Sequence, residues 1–154
     1  MHHLDINYLR SELNARVDMV GSLGCLCASV GLARGVAARF IAGHDIRLSS
    51  FVALDAGTVA LVNATPRMPA PERLVNELLP PIATLRADLA ACLAAHPRPR
   101  GEIAAAAGVS RNVPVRFIAG GDINLGTLCA IDRAIADITP VARPWGARLR
   151  KVAP

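Results

Sequence analysis

GVSRNVPVRFIAG (108–120) echoes GLARGVAARFIAG (31–43), and this pair of stretches decides how the chain is read. Both end on the run RFIAG, and both carry a glycine at the first position, an apolar residue at the second and an arginine at the fourth. The echo belongs to a longer one. Residues 24–61 and 101–138 align without a gap at a shift of 77, with fifteen of 38 positions identical. Further upstream, at a shift of 76, Ile6, Leu9, Arg10 and Leu13 recur as Ile82, Leu85, Arg86 and Leu89. A period near 77 is too long for a solenoid repeat and suits a duplicated small domain.

Each copy reads as four helices. The first is expected over roughly 5–19 and 82–95, where steps of three and four place Ile6, Leu9, Leu13 and Val17 on one face, and Ile82, Leu85, Leu89 and Leu93 on another. The second is short, about 24–30 and 102–107. Gly31 or Gly108 closes it, because the turn needs a residue at positive φ. The third starts after Ala33 or Ser110 and ends at Gly43 or Gly120. Serine is a good N-cap and alanine a poor one. The fourth runs about 48–61 and 125–138, with an inner stripe of Leu48, Phe51, Leu54, Thr58 and Leu61 matched by Leu125, Leu128, Ile131, Ile135 and Ile138. No run of alternating β-branched residues is long enough for a sheet, and alanine-rich chains favour helix. The fold expected is all-α. Its units are 1–62, a degenerate first copy; 63–81, a Pro-rich linker with a short helix over 72–79; 82–139, the second copy; and 140–154, a basic tail.

The third helix of the second copy carries the functional reading. Phe117 and Ile118 face inward; Arg111, Asn112, Val115, Arg116 and Ala119 face out. Two helices joined by so short a glycine turn cross steeply and project the start of the second. Arginine binds guanine bidentately and asparagine binds adenine in the same way. Ser110 and the free amides of the first turn suit a phosphate. Here the sequence resembles the lambda-repressor-like (Cro/C1-type) helix-turn-helix superfamily, in two tandem copies. The residues that carry the resemblance are GVSRNVPVRFIAG followed by DINLGTLCAIDRAIA (122–136). The resemblance implies a duplex-DNA-binding transcriptional regulator, a repressor or mobile-element control factor. It places base reading on Arg111 and Asn112, with Ser110, Val115 and Arg116 beside them. In the first copy the corresponding positions are Arg34 and Gly35, so Arg34 and Arg39 are the expected contacts there.

Two departures from the family pattern matter. Pro114 stands where a buried aliphatic residue is usual, near the first turn, where a missing N–H costs least. Local distortion is expected rather than loss of the helix. The first copy lacks the capping serine, and Gly35 weakens its third helix by roughly 0.5–1 kcal/mol relative to alanine. The second copy is therefore the expected main reader.

Charge agrees with this division. The net charge is +5. Residues 1–77 hold 7 basic and 7 acidic side chains, and residues 78–154 hold 10 and 5. A basic face suits phosphate backbones, anionic lipid or an acidic protein. In the tail, Arg143, Arg148, Arg150 and Lys151 surround Trp145. Such a tail is either a solvated extension, a phosphate-tracking or minor-groove arm, or a docking peptide anchored by Trp145. Arg148, Arg150 and Lys151 are counted as candidate DNA contacts.

The rest of the chain reads blandly. Cys25, Cys27, Cys92 and Cys129 have no zinc or disulfide spacing and suit small core thiols. No metal or cofactor is expected, and no catalytic constellation stands out, so no enzyme is expected. No apolar stretch reaches about 18 residues, which argues against a membrane span. Met1–Asp5 has no apolar core behind it, and a cytoplasmic location is expected. The recurring pairs Arg39/Arg116, Asp45/Asp122 and Asp55/Asp132 suit ion pairs or loop caps within each copy. For assembly two arrangements stay open: one chain as a built-in pseudo-dimer on an asymmetric site, or a homodimer joined through the first copy. The competing function class is a protein-interaction module, antiactivator- or antitoxin-like, that keeps the fold and grips another protein.

Overall fold

The structure, a computed structural model, describes residues 4–64 and 75–138. Among these residues it is all-α, with helices α1 (Ile6–Val20), α2 (Leu23–Ser29), α3 (Arg34–Ile41), α4 (Leu48–Ala64), α5 (Ile82–Ala95), α6 (Arg100–Ala106), α7 (Asn112–Ile118) and α8 (Leu125–Ile138). The local causes are visible in the chain. The Asp5 carboxylate accepts the N–H groups of Asn7 and Tyr8 and opens α1. Ser22 does the same for α2 through Cys25. The glycines of the echoed stretch adopt matching conformations: φ is 69° at Gly31 and 68° at Gly108, then 109° at Gly43 and 108° at Gly120. The sequence repeat is therefore also a repeat of backbone geometry, fixed by residues that tolerate positive φ.

Helix bounds differ from the sequence reading by up to three residues, as where α4 runs on to Ala64 and α6 opens at Arg100, and two further differences have visible causes. α7 opens at Asn112, two residues past Ser110, because Ser110 caps a preceding turn: its carbonyl accepts the Val113 N–H at 2.9 Å and its Oγ the Asn112 N–H at 3.4 Å. Pro114 then falls in the first helical turn, where its missing N–H has no intrahelical acceptor to lose. The short helix expected over 72–79 is absent from its described part, 75–79. Side chains hold that backbone instead. Asn63 brackets Val75, donating to its carbonyl at 3.1 Å and accepting its N–H at 3.0 Å. The Asp55 carboxylate accepts the N–H groups of Leu78 (2.6 Å) and Leu79 (3.1 Å).

The recurring aspartates work both within and across the copies. Asp55 pairs with Arg16 of its own copy at 3.0 Å, and Asp45 and Asp122 each accept the N–H of the next residue (2.8 and 2.9 Å). Asp45, Asp122 and Asp132 also reach the other copy. Arg47 and Asn124 form an antiparallel bridge, with Leu48 N–H donating to Ile123 O and Leu125 N–H to Ile46 O, both at 2.8 Å. Around that bridge, Asp122 of the second copy accepts the Ser49 hydroxyl at 2.6 Å at the start of α4. Asp45 of the first copy accepts the Gly126 N–H at 3.1 Å at the start of α8. The second pair is exchanged likewise. Asp55 on α4 holds the segment entering α5, and Asp132 on α8 accepts the Leu4 N–H (2.7 Å) ahead of α1. The expected ion pair or loop cap within a copy is seen at Asp55, Asp45 and Asp122. Added to it, a pseudo-twofold clasp joins the copies, and one cluster of buried apolar residues draws on both.

Asp55 is 1% exposed and also pairs with the buried Arg16 guanidinium at 3.0 Å. Burial raises its carboxyl from 3.8 to about 6, against the pull of the Leu79 and Leu78 amides and Arg16. Between those values the folded chain keeps a proton that the unfolded chain has released. The part of the stability that is linked to this proton is therefore greatest below about pH 4 and is lost as pH rises through about 6, a decline on the order of 2–3 kcal/mol that leaves the carboxylate's pairing with Arg16 and the two amides in place. Denaturant melts from pH 4 to 6 should show that decline in the native chain, and Asp55→Asn should remove it.

Candidate nucleic-acid interface

α7 is held by its inner side and displayed by its outer one. Pro114 and Phe117 are buried, three residues apart on one face. Arg111, Asn112, Val115, Arg116 and Ala119 are all exposed, as is Ser110. Among the described residues, Val115, at 47% exposure, is one of two large apolar residues so displayed. Its branched carbons suit a thymine methyl.

The C-terminal end of the segment is pinned by an arginine whose role the sequence did not reveal. Arg86 on α5 donates to the carbonyls of Gly120 (2.8 Å) and Gly121 (3.0 Å) and lies 5.4 Å from the centre of the Phe117 ring. Arg10 on α1 repeats the device, reaching Phe40 O (2.7 Å) and Gly43 O (3.1 Å) with the Phe40 ring 5.1 Å away. A cation at the last carbonyls of a helix meets their partial negative charge. Arg10 and Arg86 had recurred in the sequence at a shift of 76. That recurrence, upstream of RFIAG in each copy, was the available signal.

The recurring cations Arg39 and Arg116 are exposed, and neither forms an ion pair among the described residues; of the two roles open to Arg116, phosphate contact or pairing within its copy, the second is not seen there. Arg34 and Arg111 are likewise exposed and unpaired there. In the first copy, Arg34 opens α3 without a side-chain cap from Ala33, and Gly35 faces open space. Sequence reasoning missed Arg47, on the bridge, and Arg100, at the start of α6; both are exposed. Arg148, Arg150 and Lys151 lie outside the described residues.

Other chemistry is sparse. Cys27, Cys92 and Cys129 are buried and Cys25 is exposed. Burial pushes the Cys129 thiol up to about 12, so it fills space as an uncharged group. Among the described residues no group of His, Cys, Asp and Glu is placed to hold a metal, and no helix is long and apolar enough to cross a membrane. Comparison with protein-family models, curated proteins and solved structures finds no match to the chain.

Proposed function

We propose that the chain is a sequence-specific duplex-DNA-binding regulator of transcription, a repressor or mobile-element control factor, with the second copy as its main reader. What carries the reading is the outer face of α7, where Arg111, Asn112, Val115 and Arg116 are exposed together and the two arginines have no ion-pair partner. The resemblance to lambda-repressor-like helix-turn-helix proteins supplies the mode: α7 enters the major groove, Arg111 and Asn112 meet base edges, and Ser110 and Arg116 meet the backbone. Ser110 suits that task because its Oγ accepts from Asn112 and leaves the hydroxyl proton to donate.

The clasp between copies supports one chain addressing one asymmetric site over a homodimer joined through the first copy. α3 and α7 are related by the pseudo-twofold axis at the Arg47–Asn124 bridge, yet offer unequal contacts. Arg34 and Arg39 form the weaker half; Arg111, Asn112 and Arg116 form the stronger.

Selection of bound sequences from a pool of random duplexes tests the reading. An enriched site with two unequal halves is the expected result. No enrichment over the starting pool contradicts it and turns attention to the protein-interaction class, in which the same face grips another regulator.

A further inference from the structure

A cleft of about 380 Å³ opens where the two copies meet, beside α7. Arg47 from the first copy and Arg116, Asp122, Asn124, Val113 and Ile123 from the second help to line it. Two of its three charged groups are guanidiniums, and neither has an ion-pair partner among the described residues. The single carboxylate is already engaged. Asp122 accepts the Ser49 hydroxyl at 2.6 Å, the Ile123 N–H at 2.9 Å and the Ser49 N–H at 3.4 Å. It sits at the start of α4, where the helix's positive end balances its charge. The cleft is left with unneutralised positive charge, a side-chain amide and an apolar flank, at a volume within the range of small-molecule sites.

We propose that this inter-copy cleft binds a small oxyanion-bearing metabolite, a carboxylate or a phosphate ester. Arg47 of one copy and Arg116 of the other clamp the oxyanion, the charge-assisted pairing at which guanidinium excels. Asn124 meets a polar substituent, and Val113 and Ile123 face the carbon stem. The duplication gives an internal contrast. Under the pseudo-twofold the place of Arg47 falls on Asn124, so the equivalent position in the first copy faces an amide where this cleft faces a cation. The site is a property of the free chain and stands apart from DNA reading, although a ligand on Arg116 competes with any phosphate contact there.

Calorimetric titration of the full chain tests it, with sodium succinate and inorganic phosphate as probes, each against sodium chloride at matched ionic strength. Saturable single-site binding of at least one probe is expected, and the probe that binds distinguishes the carboxylate from the phosphate class. Arg47→Gln and Arg116→Gln should each weaken that binding about tenfold or more, the loss of one charge-assisted pair. Arg133→Gln, exposed on α8 and no part of the lining, should bind as the native chain does. Unchanged melting curves certify the fold of each variant. Binding no stronger than chloride for both probes overturns the proposal, and so does native-like binding by Arg47→Gln.

Discussion

Asp55→Ala is expected to destabilise the chain by about 3–5 kcal/mol, the usual consequence of stripping one partner from a buried ion pair. Three donors lose their acceptor at once: the Arg16 guanidinium and the N–H groups of Leu78 and Leu79. Among the described residues Arg16 then keeps its bond to Asn76 O at 2.7 Å, and it remains a buried charge. Each orphaned amide adds a desolvation penalty of its own. Asp45→Ala, by contrast, removes an exposed cap at the start of α8 and should cost about 1 kcal/mol. Urea melts of the two variants measure the difference. A cost below about 1 kcal/mol for Asp55→Ala would mean that another contact holds the segment entering α5. The double variant Arg16→Met with Asp55→Leu should recover only the share of the loss that comes from the unpaired guanidinium, because the Leu78 and Leu79 amides still lack their acceptor.

Arg111→Ala is expected to cost about 1–3 kcal/mol in affinity for a selected duplex and to relax preference at one base pair. The side chain is exposed and stands at the threshold of α7, so its removal disturbs no packing. A chain ending at residue 142 lacks the tail cations, including Arg148, Arg150 and Lys151, and should bind every duplex more weakly without changing preference. Competition binding against singly substituted duplexes separates the two behaviours. If both changes blur base preference equally, the assignment of base reading to Arg111 is wrong.

The helices and the echoed turns were legible because their causes are local. Gly31 and Gly108 must take positive φ wherever the turn occurs, and Phe40 and Phe117 must face inward once RFIAG is helical. What the sequence hid was which copy each polar group serves. In a duplicated chain, Asp45 stands equally well placed in sequence to cap its own copy or the other, and only the pseudo-twofold arrangement sends it to Gly126. The same ambiguity concealed Asp55, whose partners at Leu78 and Leu79 lie in a stretch with helix-like composition. Long-range acceptors outcompeted the helix there, and no local pattern records a bond that spans 23 residues. At the candidate interface the outward residues of α7 follow from helical spacing. Arg47 does not, since its place beside Arg116 depends on how the copies meet.

Exposed cations beside α7 that meet a nucleic-acid backbone make duplex affinity fall steeply as salt is added, and a titration of that affinity against salt concentration is the decisive measurement. Each phosphate contact contributes about −0.9 to the slope of log affinity against log salt. Phosphate contacts from Arg116 and neighbouring arginines predict a slope steeper than about −2. Weak binding that does not change with salt would mean that these cations do not meet phosphates.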